Sequence, residues 1–482
     1  MSLAFVPGYI RYLGVESYGL IGLFSVMQAW LTMLDMGMTP TLGREMARFT
    51  ASEHSTQSIH DLLRSLEFVF LAIAASICIG TWVAADWLAN DWLKPEQLPT
   101  SVVRTAITVM AFVVSFRFVE GIYRSALFGL QQQVWYNASN AALATLRSVG
   151  ALAVLALVSP TIAAFFLWQA FISLLSIIIF AAGVYRALPR APAKSAFSTA
   201  ALARVWRFAG GMTGITVLAV ALTQLDKVLL SRLLSLESFG YYTLAATVAG
   251  SLYLLITPVT TAVFPKLVEL VTRADLDGTA KTYHQASQLV TLLTAPAALL
   301  LAFFSEGVIF TWSGNAGLAR SAGPLLSTLA IGTFLNGLMY MPYQLQLAHG
   351  WTRLAFRINL VAVTLLVPAL FWIVPRHGAL SAAWVWIALN SAYVLVGIQL
   401  MHLRIMPAEK WRWYVLDVGL PTLGAASTLL ILHAFIPHEM TDRLAWLAFL
   451  VTAFTTAVGA TAFASREVRT RLFVSARRLT GA

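Results

Sequence analysis

The stretch Arg11-Tyr12-Leu13-Gly14-Val15-Glu16-Ser17-Tyr18-Gly19 returns in altered form as Arg232-Leu233-Leu234-Ser235-Leu236-Glu237-Ser238-Phe239-Gly240. The copies lie 221 positions apart, and Arg, Leu, Glu, Ser, an aromatic ring and Gly recur at matching places. Each copy reads as an outer loop leading into a long apolar run. Two copies in one topological slot and facing one side mean parallel repeats, related by an axis along the membrane normal.

Composition agrees with a chain solvated mostly by lipid. Hydrophobic residues make up 59% of the 482 and charged residues only 11%, with mean hydropathy +0.76. Soluble domains carry roughly 25% charged residues, so a soluble enzyme is excluded. A disordered chain is excluded by the apolar content. A spanning helix needs about 20 apolar residues. The runs predict thirteen helices, near 18–41, 65–88, 104–128, 139–158, 161–185, 207–231, 239–264, 285–305, 322–347, 356–375, 379–402, 414–436 and 444–465. Ser159-Pro160 and Pro375-Arg376-His377-Gly378 break two of the longest runs and read as tight turns.

The basic residues set the orientation. Of 32, twenty-three fall in one alternating set of loops and the tail, and seven in the other set. That asymmetry places the 186–207 linker and the C-terminus in the cytoplasm. The formal charge of +11 is thus topological, and nucleic acid is not an expected partner. The lone Cys78 excludes an internal disulfide and a thiolate metal cluster.

The expected all-α architecture is an N-terminal lobe over 1–185, a cytoplasmic linker over 186–206, a second lobe over 207–402, and an extra helix pair with a basic tail over 403–482. Helix 207–231 precedes the second motif, so its counterpart should end near Tyr9. Residues 1–10 supply about half a span. The expectation is a fourteen-span product whose first helix is truncated here.

The run Arg11–Leu20, Leu34-Asp35-Met36-Gly37 with Arg44 beyond it, Gln224-Leu225-Asp226-Lys227 leading to Phe239-Gly240-Tyr241-Tyr242, and Val263-Phe264-Pro265 together resemble bacterial O-antigen-type polysaccharide flippases. Those proteins belong to the multidrug and oligosaccharidyl-lipid/polysaccharide exporter superfamily. The resemblance covers roughly residues 5–400, and the terminal helix pair fits fourteen-span members. It implies a two-lobed transporter fold of the multidrug-exporter type in the bacterial inner membrane. It further implies alternating-access transfer of an undecaprenyl-pyrophosphate-linked oligosaccharide, such as an O-antigen or exopolysaccharide repeat unit. Polysaccharide polymerase and chain-length proteins are implied as partners, and no cofactor is implied.

Ionisable residues inside spans cost about 2.5–3.5 kcal/mol on insertion scales and are functional candidates by default. Arg117, Glu120 and Arg124 share one face of helix 104–128. Under the resemblance they form a polar stripe in which two arginines attract a pyrophosphate, because a planar guanidinium donates two hydrogen bonds at once. The competing readings are an Arg–Glu staple within the lobe and snorkelling of Arg124 to the cytoplasmic surface. Asp35 is expected deep in helix 18–41, as a gating or ion-coupling carboxylate or as a partner for Arg44. Asp226 and Lys227 lie near the outer end of helix 207–231 and, being adjacent, are expected not to pair. Asp226 is a candidate for ion coupling, and Lys227 for cargo binding or snorkelling. Glu67 and Asp417 read as helix N-terminal carboxylates with no assigned role.

Signals for chemistry are weak. Asp275-Leu276-Asp277 matches a glycosyltransferase metal motif, but its loop is too short for a catalytic domain. The eight histidines show no pair at metal-ligand spacing. Gly210-Gly211-Met212-Thr213-Gly214 reads as a close-packing face rather than a phosphate loop. Trp87, Trp92, Trp372, Trp384, Trp411 and Trp413 read as interfacial anchors. The alternatives to a repeat-unit flippase are a cation-coupled multidrug exporter, a lipid II flippase, and, from another class, a membrane glycosyltransferase or polymerase.

Overall fold

Long apolar runs with few interior breakers give an all-helical chain. The computed structural model describes residues 3–35, 37–52, 54–199, 202–203, 220, 224–435, 442–465 and 469. Its helices are α1 (Val6–Leu34), α2 (Met38–Thr50), α3 (Thr56–Trp87), α4 (Thr100–Gly129), α5 (Gln133–Leu157) and α6 (Ile162–Ala187). A helical segment at 224–233 follows. Then come α7 (Leu236–Gly250), α8 (Tyr253–Thr272), α9 (Leu276–Phe303), α10 (Ser305–Ser313), α11 (Ala316–Leu338), α12 (Tyr340–Ala348), α13 (Arg353–Ala392), α14 (Ile398–Ile405), α15 (Leu420–Ala434) and α16 (Arg443–Ala464). Among the described residues, ten helical stretches are long and apolar enough to cross a membrane. One of them, Arg353–Ile405, is bent at Gly378, where φ is +69°. Large apolar side chains such as Ile79, Val83, Leu167 and Leu365 are more than half exposed. Lipid solvates such surfaces, and the protein is a multi-pass membrane protein.

Several expected boundaries move. The expected helix 18–41 instead ends at Leu34, with Asp35 as its C-terminal cap. Gly37 then takes φ +75°, a left-handed conformation that glycine adopts without a steric penalty, and α2 starts afresh. Asp35 therefore sits at a break rather than deep in a span. Glu67 was expected at a helix N-terminus but lies well inside α3. There it accepts from Tyr123 Oη at 3.0 Å, Tyr185 Oη at 2.8 Å and Arg64 Nη1 at 3.0 Å. Asp275 caps α9 by accepting from Gly278 N at 2.8 Å, so its motif spells a helix start. Most of the expected helix 207–231 and the Gly210–Gly214 run lie outside the described residues.

The chain forms two compact units, Met1–Gly240 and Tyr241–Ala482. In the first, α4 is central and touches α1, α2, α3, α5 and α6. The repeated motif is packed against itself. A Cβ on Gly19 would lie 2.5 Å from Leu236 O, and one on Gly240 would lie 2.4 Å from Val15 O. Position 15 thus faces 240 as 236 faces 19, the reciprocity of a local two-fold relation. The motif's glutamates hold one loop: Glu16 accepts from the backbone N–H groups of Glu96, Gln97 and Leu98 at 2.5–2.9 Å. Glu237 accepts from Gln97 Nε2 at 3.3 Å.

In the second unit α9 is central, packed by α8, α11, α15 and α16. Leu252, Ile256, Tyr283 and Trp413 are among its buried core residues. Trp413 is only 1% exposed and donates to Ser287 Oγ at 3.2 Å, which corrects its reading as an interfacial anchor. The terminal helices α15 and α16 meet along Ala425, Leu429, Ala453 and Ala457. Small side chains allow that close approach in lipid.

Candidate functional site

Helix α4 brings Arg117, Glu120 and Arg124 to one wall of a cavity of about 480 Å³ inside the first unit. The break after α1 contributes Asp35, the first turn of α2 contributes Thr39 and Pro40, α1 itself contributes Gln28, and α5 adds Tyr136, Asn140 and Arg147. A second cavity of about 280 Å³ has Arg117 and Arg147 in its lining too, so these two guanidiniums border both spaces.

Each charge is held by a different device. Arg117 Nη1 donates to Gln28 Oε1 at 2.9 Å, and Nη2 donates to Gln169 Oε1 at 3.3 Å. Its guanidinium lies 5.1 Å from the centre of the Phe24 ring. Neutral amides and an aromatic face orient the cation without neutralising it. Arg147 Nη2 donates to Ser176 Oγ at 3.3 Å and lies 3.9 Å from Glu120 Oε2. Arg147, not Arg117 or Arg124, is the cation that Glu120 approaches within ion-pair distance. The Nε atoms of Arg117 and Arg147 and Oε2 of Glu120 are buried without a hydrogen-bond partner. Buried donors without partners are costly. Arg124 lies exposed in the lining.

Asp35 accepts from Thr39 N at 3.0 Å and from Thr39 Oγ1. Ser125 Oγ donates to Thr39 O at 2.6 Å, which ties this break to α4. Arg44 lies exposed on α2 and does not line the cavity. Asp226 and Lys227 do not line it either, and the pair approaches to 3.9 Å. Against the expectation that these neighbours do not pair, Lys227 Nζ comes to the edge of ion-pair distance from Asp226 Oδ1.

Four of the seven candidate residues thus meet in one cavity: Asp35, Arg117, Glu120 and Arg124. The basic-residue count groups Arg147 with the cytoplasmic loops although it falls inside the expected helix 139–158. Helix α5 begins at Gln133, and Arg147 is only 17% exposed. Gln28 and Gln169 are neutral, and nothing in their spacing marks them. Three guanidiniums face two carboxylates, an arrangement suited to an anion with several oxygens.

The family model described as "Polysaccharide biosynthesis protein" matches residues 1–271, more than half of the chain. A putative O-antigen transporter from Shigella flexneri is 21% identical over 385 residues, covering 80% of this chain and 89% of that one. Among solved structures, the lipid II flippase MurJ in an inward closed conformation superimposes with TM-score 0.69 at 14% identity. That match covers 94% of this chain and 95% of that one. An inward-facing multidrug resistance MATE family transporter of the MOP superfamily gives TM-score 0.64 at 15% identity, over 85% and 96%. The chain has the fold these two structures share.

Proposed function

The chain belongs to the polysaccharide biosynthesis protein family, it is a transporter rather than an enzyme, and we propose that it moves a polyprenyl-pyrophosphate-linked oligosaccharide across the bacterial inner membrane. The observation that supports this most is the cavity where Arg117, Arg124 and Arg147 converge with only Asp35 and Glu120 opposing them. A pyrophosphate offers several anionic oxygens, and each charge-assisted hydrogen bond to one contributes about 1.5–3 kcal/mol.

In this reading the sugar moiety follows the pyrophosphate through a polar path while the polyprenyl tail stays in lipid. The lobes 1–185 and 207–402 alternate access to the two membrane faces. Asp35, at the break between α1 and α2, is the gating or ion-coupling carboxylate, with Arg44 and Asp226 as further members and Lys227 as a cargo contact. The cytoplasmic C-terminus follows from the basic loops. Polymerase and chain-length proteins would receive the product.

A deletion strain tests this. Surface polysaccharide is expected to fall and its lipid-linked precursor to accumulate in the inner leaflet, both restored by the intact gene. Intact surface glycan with no precursor build-up contradicts it. Loss of peptidoglycan synthesis instead would identify the other pyrophosphate cargo, lipid II. A cationic drug is disfavoured because the cavity presents more guanidiniums than carboxylates.

A further inference from the structure

A second cluster of ionisable side chains lies in the second unit, apart from the arginine cavity and unused by the mechanism above. His284 of α9 has no exposed side-chain surface. Its Nδ1 faces Asp417, also fully buried, and its Nε2 lies 2.9 Å from Glu409 Oε2. Both ring nitrogens therefore point at carboxylate oxygens. A neutral imidazole has one N–H and one bare lone pair. With two ionised carboxylates, that lone pair would face an anion in a site shielded from water. The arrangement is satisfied only when one further proton is present, on the ring or on one of the carboxyls.

The surroundings fit that count. Asp417 Oδ1 accepts from Gln288 Nε2 at 2.8 Å, and Gln288 Oε1 accepts from Ser465 Oγ at 2.7 Å. Arg412 Nη1 lies 3.4 Å from Glu409 Oε2. With the ring protonated, two cations balance two carboxylates. The Tyr283 ring packs edge-on to His284, Tyr283 Oη contacts His402 Nε2 at 3.2 Å, Lys410 is a further charge near His402, and Lys281 lies three residues before His284 on α9. On α8, Glu269 is engaged by Lys266 at 3.0 Å and Arg273 at 2.9 Å. The titratable groups of α15 and α16 that are described, His433 and Arg443, pack elsewhere, on Phe304 and on Thr311 O. Among the described residues no group of His, Cys, Asp and Glu could hold a metal ion.

The backbone aims Asp417 inward. Trp413–Gly419 is a π-helical stretch, widened just before Pro421. Proline lacks an N–H and its ring clashes with the carbonyl four residues earlier, which here is that of Asp417. A local π-turn relieves the clash, and such turns recur at functional sites.

We propose that His284, Asp417 and Glu409 form a proton-binding site that fastens α9 to the 407–419 segment. Glu409 is 27% exposed whereas His284 and Asp417 are not exposed at all. The proton therefore enters past Glu409 and rests between His284 and Asp417. Its departure leaves a lone pair against a carboxylate and loosens the contact. The site stands independently of what the arginine cavity carries.

Ring-nitrogen NMR on the full-length protein in lipid nanodiscs tests this without cargo. The pair Tyr283-His284 occurs once in the sequence, so labelling tyrosine carbonyl carbon and histidine nitrogen identifies His284 without a variant. At neutral pH two protonated ring nitrogens are expected, or else a carboxylic-acid infrared band that Asp417→Asn or Glu409→Gln removes. One bare ring nitrogen, with no such band at all in the wild-type spectrum, overturns the site. Raising the pH until the proton leaves should increase deuterium exchange over residues 407–419. Unchanged exchange across that titration overturns the fastening role.

Discussion

At the scale of single residues, the cavity separates charge from partner. Arg117 is held by two glutamine amides and an aromatic face rather than by a carboxylate. Its charge stays available to an anion. Arg117→Lys keeps the charge but loses the planar fork, and export should fall about tenfold, as the loss of one contact of about 1.4 kcal/mol requires. Arg147→Gln should reduce export at least as much, because it also strands Glu120. Both are read as surface glycan at matched protein level, and undiminished export by both removes the cavity from the cargo path. Glu16 is a structural counterpart. Glu16→Ala leaves three backbone N–H groups without their acceptor. A cost of about 1–3 kcal/mol should lower the thermal unfolding temperature of the detergent-solubilised protein; an unchanged temperature contradicts that role.

At the scale of elements, part of the site was legible and part was not. Arg117, Glu120 and Arg124 share one helix face, so spacing alone brings them together. Arg147 joins from α5, and no periodicity reports which helix lies alongside α4. The break at Gly37 moved Asp35 from a span interior to a helix end, because hydropathy does not register a single left-handed residue. His284 and Asp417 are 133 positions apart, and only folding places them in contact. The repeated motif carried more information than its loop reading suggested, since its glycines pack the two copies on one another and both its glutamates engage the 96–98 loop. Gly19→Ala and Gly240→Ala should each force a backbone shift costing about 1–3 kcal/mol. The double variant should then show an interaction energy different from the sum of the singles. Strict additivity in unfolding midpoints would speak against a direct crossing.

At the scale of the whole molecule, composition alone already required a membrane, and the basic-residue asymmetry supplied an orientation. A fluorescent protein that matures only in the cytoplasm, fused after Ala482, should fluoresce, whereas the same fusion in the 93–99 loop should remain dark. The reverse pattern contradicts the orientation.

Transfer of cargo between leaflets is best measured in reconstituted vesicles containing the purified protein and a fluorescent polyprenyl-pyrophosphate oligosaccharide, with a membrane-impermeant quencher added outside. Protein-containing vesicles should expose label that empty vesicles protect, and a well-folded Arg117→Gln, Arg147→Gln protein should lose most of that exposure. Equal protection with and without the protein, or full activity in the doubly substituted chain, contradicts transport through the arginine cavity.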